Sequence, residues 1–117
     1  MLFRSRARVE LGIELDKALD DCDEAVDADK DNPSYRDSRA WVYLRLDKPQ
    51  KALADFDRAI ALRPNDAWSI YGRGLAHLRL GQAALGQADL AEARQAEPDV
   101  DTAIRRAGLP SAPDAPP

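Results

Sequence analysis

A block of helix-forming residues recurs along this 117-residue chain at a fixed interval, and that recurrence restricts the fold more than any other feature. Ala18, Cys22, Ala25 and Val26 align with Ala52, Phe56, Ala59 and Ile60, and again with Gly86, Leu90, Ala93 and Arg94, at a step of 34 residues. Ala40 and Gly74 are 34 apart, as are Pro64 and Pro98. Upstream, Ser38-Arg39-Ala40-Trp41-Val42-Tyr43-Leu44 matches Ser5-Arg6-Ala7-Arg8-Val9-Glu10-Leu11 at five of seven positions. A supersecondary unit of this length cannot bury its apolar face alone, so repeats must stack into a solenoid.

The punctuation makes each unit a pair of helices. Ala, Leu, Arg and Glu dominate the segments between turn residues, and little reads as a strand, so the class is all-α. Asn32-Pro33 reads as an N-cap followed by proline in the first turn, where a missing N–H costs nothing. A helix of about a dozen residues then ends at Leu46-Asp47-Lys48-Pro49. Lys51 to Leu62 follows, and Pro64-Asn65-Asp66 breaks it and caps Ala67 to Leu80, which Gly81 closes. Ala83 to Ala96 is the next helix, and Asp99 starts a short last one through Ala107, stopped by Gly108 and Pro110. Small residues such as Ala40, Ala52, Ala59 and Gly74 mark close helix crossings, with Tyr43 and Phe56 filling the space beside them. A leucine at Ala40 or Gly74 is expected to overpack, at about 1–3 kcal/mol.

Read unit by unit, Ala40, Tyr43, Ala52, Phe56, Ala59 and Pro64 correspond to Gly74, His77, Gly86, Leu90, Ala93 and Pro98, and to Ala7, Glu10, Ala18, Cys22 and Ala25. This order of small residue, aromatic, alanine, aromatic, alanine and proline resembles the tetratricopeptide repeat (TPR), over roughly residues 2 to 98. Unit one departs from the pattern: it is one residue shorter between its helices, Leu11 to Ala18 against Leu44 to Ala52. Lys30 and Asp47 stand where proline and glycine are usual. The resemblance implies a right-handed superhelical solenoid of antiparallel helix pairs, about three units with the first abbreviated, plus a capping helix near 99–107. The repeat domain is then 1–108, and the Pro/Ala-rich segment 109–117 is expected to be a flexible tail.

Charge and composition exclude several functions. Nine acids from Glu14 to Asp31 face only Lys17 and Lys30, leaving the remainder of the chain at +3 against a net charge of -4. Such a segment repels phosphates, so nucleic acid is not expected as a partner. The acids lack the glycine and alternation of a calcium loop and read as a solvated helix face, with an electrostatic docking surface as the alternative. No apolar run approaches the ~18 residues of a membrane span, so no membrane insertion is expected. One cysteine and one histidine cannot form a disulfide or furnish a zinc site. Cys22 occupies the aromatic position of unit one and reads as a buried thiol; His77 occupies that of unit three and reads as a packing residue. With no base, nucleophile or metal constellation, no catalytic site, metal or cofactor is expected, and the chain is not expected to be an enzyme. The compartment stays open, with the cytoplasm favoured over the periplasm, and the start within a repeat raises the expectation of a longer parent protein.

Two further patterns bear on function. An arginine precedes each small residue (Arg6, Arg39, Arg73), and an aspartate follows each second-helix alanine by three (Asp21, Asp55, Asp89), as expected for interhelix pairs that lock hairpins in register. The resemblance also implies that each unit's first helix lines a concave surface. There Trp68, Tyr71, Leu75, Leu78 and Arg79 match Ser34, Asp37, Trp41, Leu44 and Arg45. Trp41, Leu44, Arg45, Trp68, Tyr71, Leu75, Leu78 and Arg79 are therefore the candidate groove for a protein or peptide partner. The alternative is that Trp41 and Trp68 pack between helices or under the last helix. A variant of the family clamps the terminal carboxylate of chaperone tails with Lys, Arg and Asn on these helices, but here Asn32 and Asn65 both fall in turns. The expected function is a scaffold or adaptor, the alternative being homo-oligomerisation through an uncapped first repeat, with Leu2 and Phe3 at its edge.

Overall fold

The computed structural model describes residues 2–113, with side chains from Glu14 onward. Six helices follow one another without a strand among the described residues: α1 (Leu2–Ala28), α2 (Pro33–Arg45), α3 (Pro49–Leu62), α4 (Ala67–Arg79), α5 (Ala83–Ala96) and α6 (Val100–Arg106). None is long and apolar enough to cross a membrane.

The turn chemistry repeats with the sequence. Asn32 accepts the Tyr35 amide at 3.1 Å and Asp66 accepts the Trp68 amide at 3.1 Å, so α2 and α4 both start on a side-chain cap. Their ends are identical motifs 34 residues apart. Lys48 N donates to Tyr43 O at 2.8 Å and Asp47 N to Leu44 O at 3.1 Å; Gln82 N donates to His77 O at 2.9 Å and Gly81 N to Leu78 O at 3.1 Å. This is the Schellman arrangement, which needs a left-handed residue just past the helix. Gly81 takes φ 76° without strain, whereas Asp47 is forced to φ 56°. A third copy ends α6: Leu109 N donates to Ile104 O at 3.2 Å, Gly108 N to Arg105 O at 3.0 Å, and Gly108 sits at φ 75°.

Unit one differs from the expected hairpin. Residues 2–28 form a single helix, so the complete hairpins are α2/α3 and α4/α5. Between Leu11 and Ala18 the only breaker is Gly12, and one glycine costs a helix about 1 kcal/mol, too little to force a turn without proline or a capping residue. The later part of α1 then packs on α2 as a second helix would, burying Val26. The side chains of Leu2, Phe3, Arg6, Ala7 and Glu10, on which the self-association reading and the first rung of the arginine pairs depend, lie outside the described residues.

Packing gives two rows. α2, α4 and α6 touch in sequence along one side, while α1, α3 and α5 back them. One buried cluster runs through the stack, with Leu44, Phe56, Tyr71, Leu90, Val100 and Ile104 at its centre. Burying each large apolar side chain contributes on the order of 1.5–3 kcal/mol. Close approach depends on missing Cβ atoms. A Cβ on Gly74 would lie 3.0 Å from the Gly86 carbonyl oxygen, and one on Gly86 would lie 2.6 Å from Leu78 Cδ2, so α4 and α5 cross at the small-residue pair the sequence marks.

Candidate functional site

The arginine–aspartate pairs fix the frame. Arg39 on α2 grips Asp55 of α3 with Nε at 2.7 Å and Nη2 at 2.9 Å, and its remaining Nη1 reaches Asp23 of α1 at 3.1 Å. Thirty-four residues on, Arg73 grips Asp89 at 2.9 Å through both Nε and Nη2 and reaches Asp57 at 3.2 Å. Each guanidinium thus ties its own hairpin to the preceding second helix, and Asp55, 2% exposed, is satisfied by Arg39 and Arg36 together. The forked pairs to Asp55 and Asp89 match the sequence pattern. The second partners, Asp23 and Asp57, are marked in sequence only by following Asp21 and Asp55 at an interval of two. These arginines are consumed in holding the stack.

The eight candidate groove residues all lie on α2 and α4, but they do not form an exposed floor. Leu44 and Tyr71 are 0% exposed, Trp41 4% and Leu75 5%. They belong to the same cluster as Val100 and Ile104 of α6 and Ala112 beyond it. Trp41 meets Phe56 of α3 edge-on at 5.3 Å between ring centroids, a contact between neighbouring helices. Leu78 points elsewhere: its side chain lies over Gly86 in the α4/α5 crossing. Arg79 donates to the Leu44 carbonyl at the end of α2, and Arg45 donates to the Gly108 carbonyl, so both rim cations cap backbone oxygens of neighbouring elements. Trp68 is half-buried, with its indole N–H donating to Glu97 at 3.0 Å.

Segment 109–113, read from composition as part of a flexible tail, departs from that expectation over its described residues. Leu109 packs against the core and Ala112 is 6% exposed. The Ala112 amide donates to Tyr71 Oη at 2.8 Å, while the Tyr71 hydroxyl bonds Asp101 at 2.7 Å. Asp101 in turn receives Arg94 at 2.8 and 3.0 Å, which holds its carboxyl below the usual carboxylate range. Nothing in the sequence periodicity singles out Asp101 or Ala112 for this chain of bonds.

A pocket of about 290 Å³ opens on this side. Trp41, Val42, Trp68 and Leu109 wall it, and Asp37, Ser38 and Arg45 supply its polar groups. Asp37 accepts Ser69 Oγ at 2.8 Å. Burial, with the nearby charge of Asp66 adding to it, pushes its carboxyl up to about 6, against the opposing pull of the Ser69 bond. The buried Trp41 indole N–H has no partner in hydrogen-bond geometry, although its dipole favours the Asp37 charge.

The two candidates for chemistry sit in packing positions. His77 Nδ1 is 2.7 Å from Gln82 Oε1, and its Nε2 faces Asp89 at 3.8 Å across the α4/α5 crossing. Cys22 is partly buried on α1, and that burial pushes its thiol pKa up, away from the reactive thiolate.

Fold and repeat together define an all-helical solenoid protein stacked at a 34-residue step. A family model described as the TPR repeat matches residues 42–81. The first TPR domain of Spaghetti (RPAP3), solved bound to the HSP90 peptide SRMEEVD, matches with a TM-score of 0.72 and 26% identity, covering 90% of this chain and 85% of that one. The first TPR domain of human RPAP3, solved by NMR, matches with a TM-score of 0.71 and 26% identity, covering 90% and 84%. The chain thus carries a TPR-repeat match over residues 42–81 and shares the all-helical repeat fold of these TPR domains.

Proposed function

We propose that this chain is a protein-interaction adaptor that holds a peptide, or an exposed segment of a partner, on the concave side formed by α2 and α4. The observation that carries this reading is the pocket between those helices, where two tryptophans and Val42 stand beside the Asp37 carboxyl and the Arg45 guanidinium. Such a lining seats an apolar side chain and offers a donor and an acceptor to the backbone that carries it. The similar RPAP3 domain carries a peptide from HSP90, which supports a peptide as the ligand class. A carboxylate clamp is not the proposed mode, because Asn32 is spent on the α2 cap and Asn65 lies in the turn before α4.

The test uses substitutions at the pocket rather than in the core. Trp41→Ala and Tyr71→Ala would remove buried packing and confuse unfolding with lost binding. Val42→Glu and Ser38→Glu change the pocket wall and rim instead. The full chain, used as bait with a photo-crosslinker, is expected to capture a protein whose crosslinks map to α2 and α4, and to lose it in both variants at unchanged melting temperature. Crosslinks confined to the α1/α3/α5 side would sink the proposal.

A further inference from the structure

We infer that the groove along α2, α4 and α6 is a strand-docking site whose resident occupant is the chain's own segment Leu109–Pro113, and that a partner segment of the same chemistry must displace it. The inference rests on the adaptor reading and names its ligand.

The α6 Schellman turn at Gly108 sends the chain back across the face it has just left, and the Arg45 guanidinium holds the Gly108 carbonyl at the entry. Leu109 enters the groove as one wall of the pocket, and Ala112 follows as a buried residue at the far contact. Between them the backbone forms no helix or strand, and Pro110 and Pro113 have no N–H to pair. The groove then supplies the partner that the Ala112 amide requires, the Tyr71 hydroxyl, itself oriented by Asp101. These are the features by which peptide grooves read an extended ligand: a carbonyl held at one end, an amide held at the other, and apolar anchors between.

Leu109, Pro110, Ser111, Ala112 and Pro113 carry no charge, so no electrostatic complement is demanded of the ligand. The partner class is an uncharged, proline-containing extended segment with a large apolar residue followed three positions later by a small one. The cis segment leaves the pocket of about 290 Å³ beside Leu109 open. A partner residue seated there, against Trp41 and Trp68, makes contacts the resident segment lacks, which lets a free peptide compete with a tethered one. Competition is needed because tethering sets the local concentration of the tail at about millimolar.

The test compares the full-length wild type with full-length Ala112→Asp, in which a carboxylate is driven against Asp101 and out of an apolar site. The probe is a fluorescein-labelled peptide of residues 107–117, read by anisotropy. The variant is expected to bind it at least about tenfold more tightly than the wild type, since only the variant presents an empty groove. Equal affinity, or binding by neither protein, overturns the inference. If Ala112→Asp melts non-cooperatively, hydrogen exchange of the Ala112 amide in the wild type decides: strong protection upholds the docked segment, and coil-like exchange overturns it. A wild-type dimer by light scattering would put the segment in a neighbour's groove and also overturn the cis assignment. Failure here with crosslinks still on α2 and α4 removes the resident strand but leaves the adaptor reading standing; crosslinks elsewhere remove the adaptor reading itself.

Discussion

Placing a methyl group on Gly72 tests the packing of α4 on α3 directly. A Cβ there would lie 2.2 Å from Phe56 Cζ, and 2.5 and 2.8 Å from its Cε1 and Cε2. Comfortable carbon contacts are about 3.5–4.0 Å, so the overlap is more than an ångström. The ring cannot step aside: Phe56 is 0% exposed and meets the Trp41 ring edge-on at 5.3 Å between centroids, and Trp41 is itself buried. Helix α4 must therefore lift from α3. Overpacking of this kind costs about 1–3 kcal/mol, and the clash belongs at the upper end. Alanine recovers about 1 kcal/mol of helix propensity over glycine, leaving a net loss of roughly 2 kcal/mol. For a domain of this size that is a fall in Tm of roughly 10 °C, measurable by calorimetry and urea titration. The Phe56→Leu background separates the causes, because a shorter side chain removes the atoms that collide. There Gly72→Ala should be neutral or stabilising, giving a coupling energy of at least about 1 kcal/mol in the double-mutant cycle. A Gly72→Ala protein as stable as the wild type, or equal destabilisation in both backgrounds, would refute the reasoning.

Three other substitutions probe independent features. Asp47→Gly relieves a left-handed residue at φ 56° and should raise stability by about 1 kcal/mol in urea titration. Arg39→Ala leaves the buried Asp55 carboxylate with Arg36 at 3.3 Å as its remaining partner, and should cost about 3 kcal/mol; Arg39→Lys, which keeps the charge but not the fork, should fall between. Asp37 is raised from 3.8 to about 6, so the folded state holds its proton where the unfolded state has lost it, and stability falls as pH rises through that window. Asp37→Asn, which can still accept the Ser69 hydroxyl, should therefore stabilise the protein at pH 7 by up to about 3 kcal/mol and by little at pH 4, as read from melts at the two pH values.

Where the sequence is explicit about backbone, it anticipates the fold closely. Asn32-Pro33, Pro64-Asn65-Asp66 and Gly81 are local instructions, each acting on hydrogen bonds within a few residues, and the helices they bound are α2 to α5. The same locality explains the missed turn in unit one. Similar residues on either side of Gly12 copy the packing positions of a hairpin, but they carry no instruction to stop a helix, and α1 continues. The Arg39–Asp55 and Arg73–Asp89 pairs were readable because the repeat brings one pattern to one geometry twice.

The groove was less legible for a different physical reason. Helical spacing tells which residues share a face; it does not tell what will cover that face. The Tyr71 hydroxyl meets Asp101 and the Ala112 amide, and Trp41 shares a pocket wall with Leu109; these partners come from a non-repeating part of the chain, so no periodicity connects them. Composition then misleads in the same place. Proline and alanine content marks a segment that cannot bury enough area to order itself, but ordering against a preformed surface requires only anchors. One leucine, one buried alanine and two hydrogen bonds meet that need here, because the stack has already fixed Tyr71, Asp101 and Arg45 in place. That packed scaffold and lightly held segment have unequal stabilities, and the segment is the element that local opening is expected to release first. On the proposal made above, a ligand that resembles this segment would perturb little else in the molecule on binding, which is the property an adaptor's groove requires.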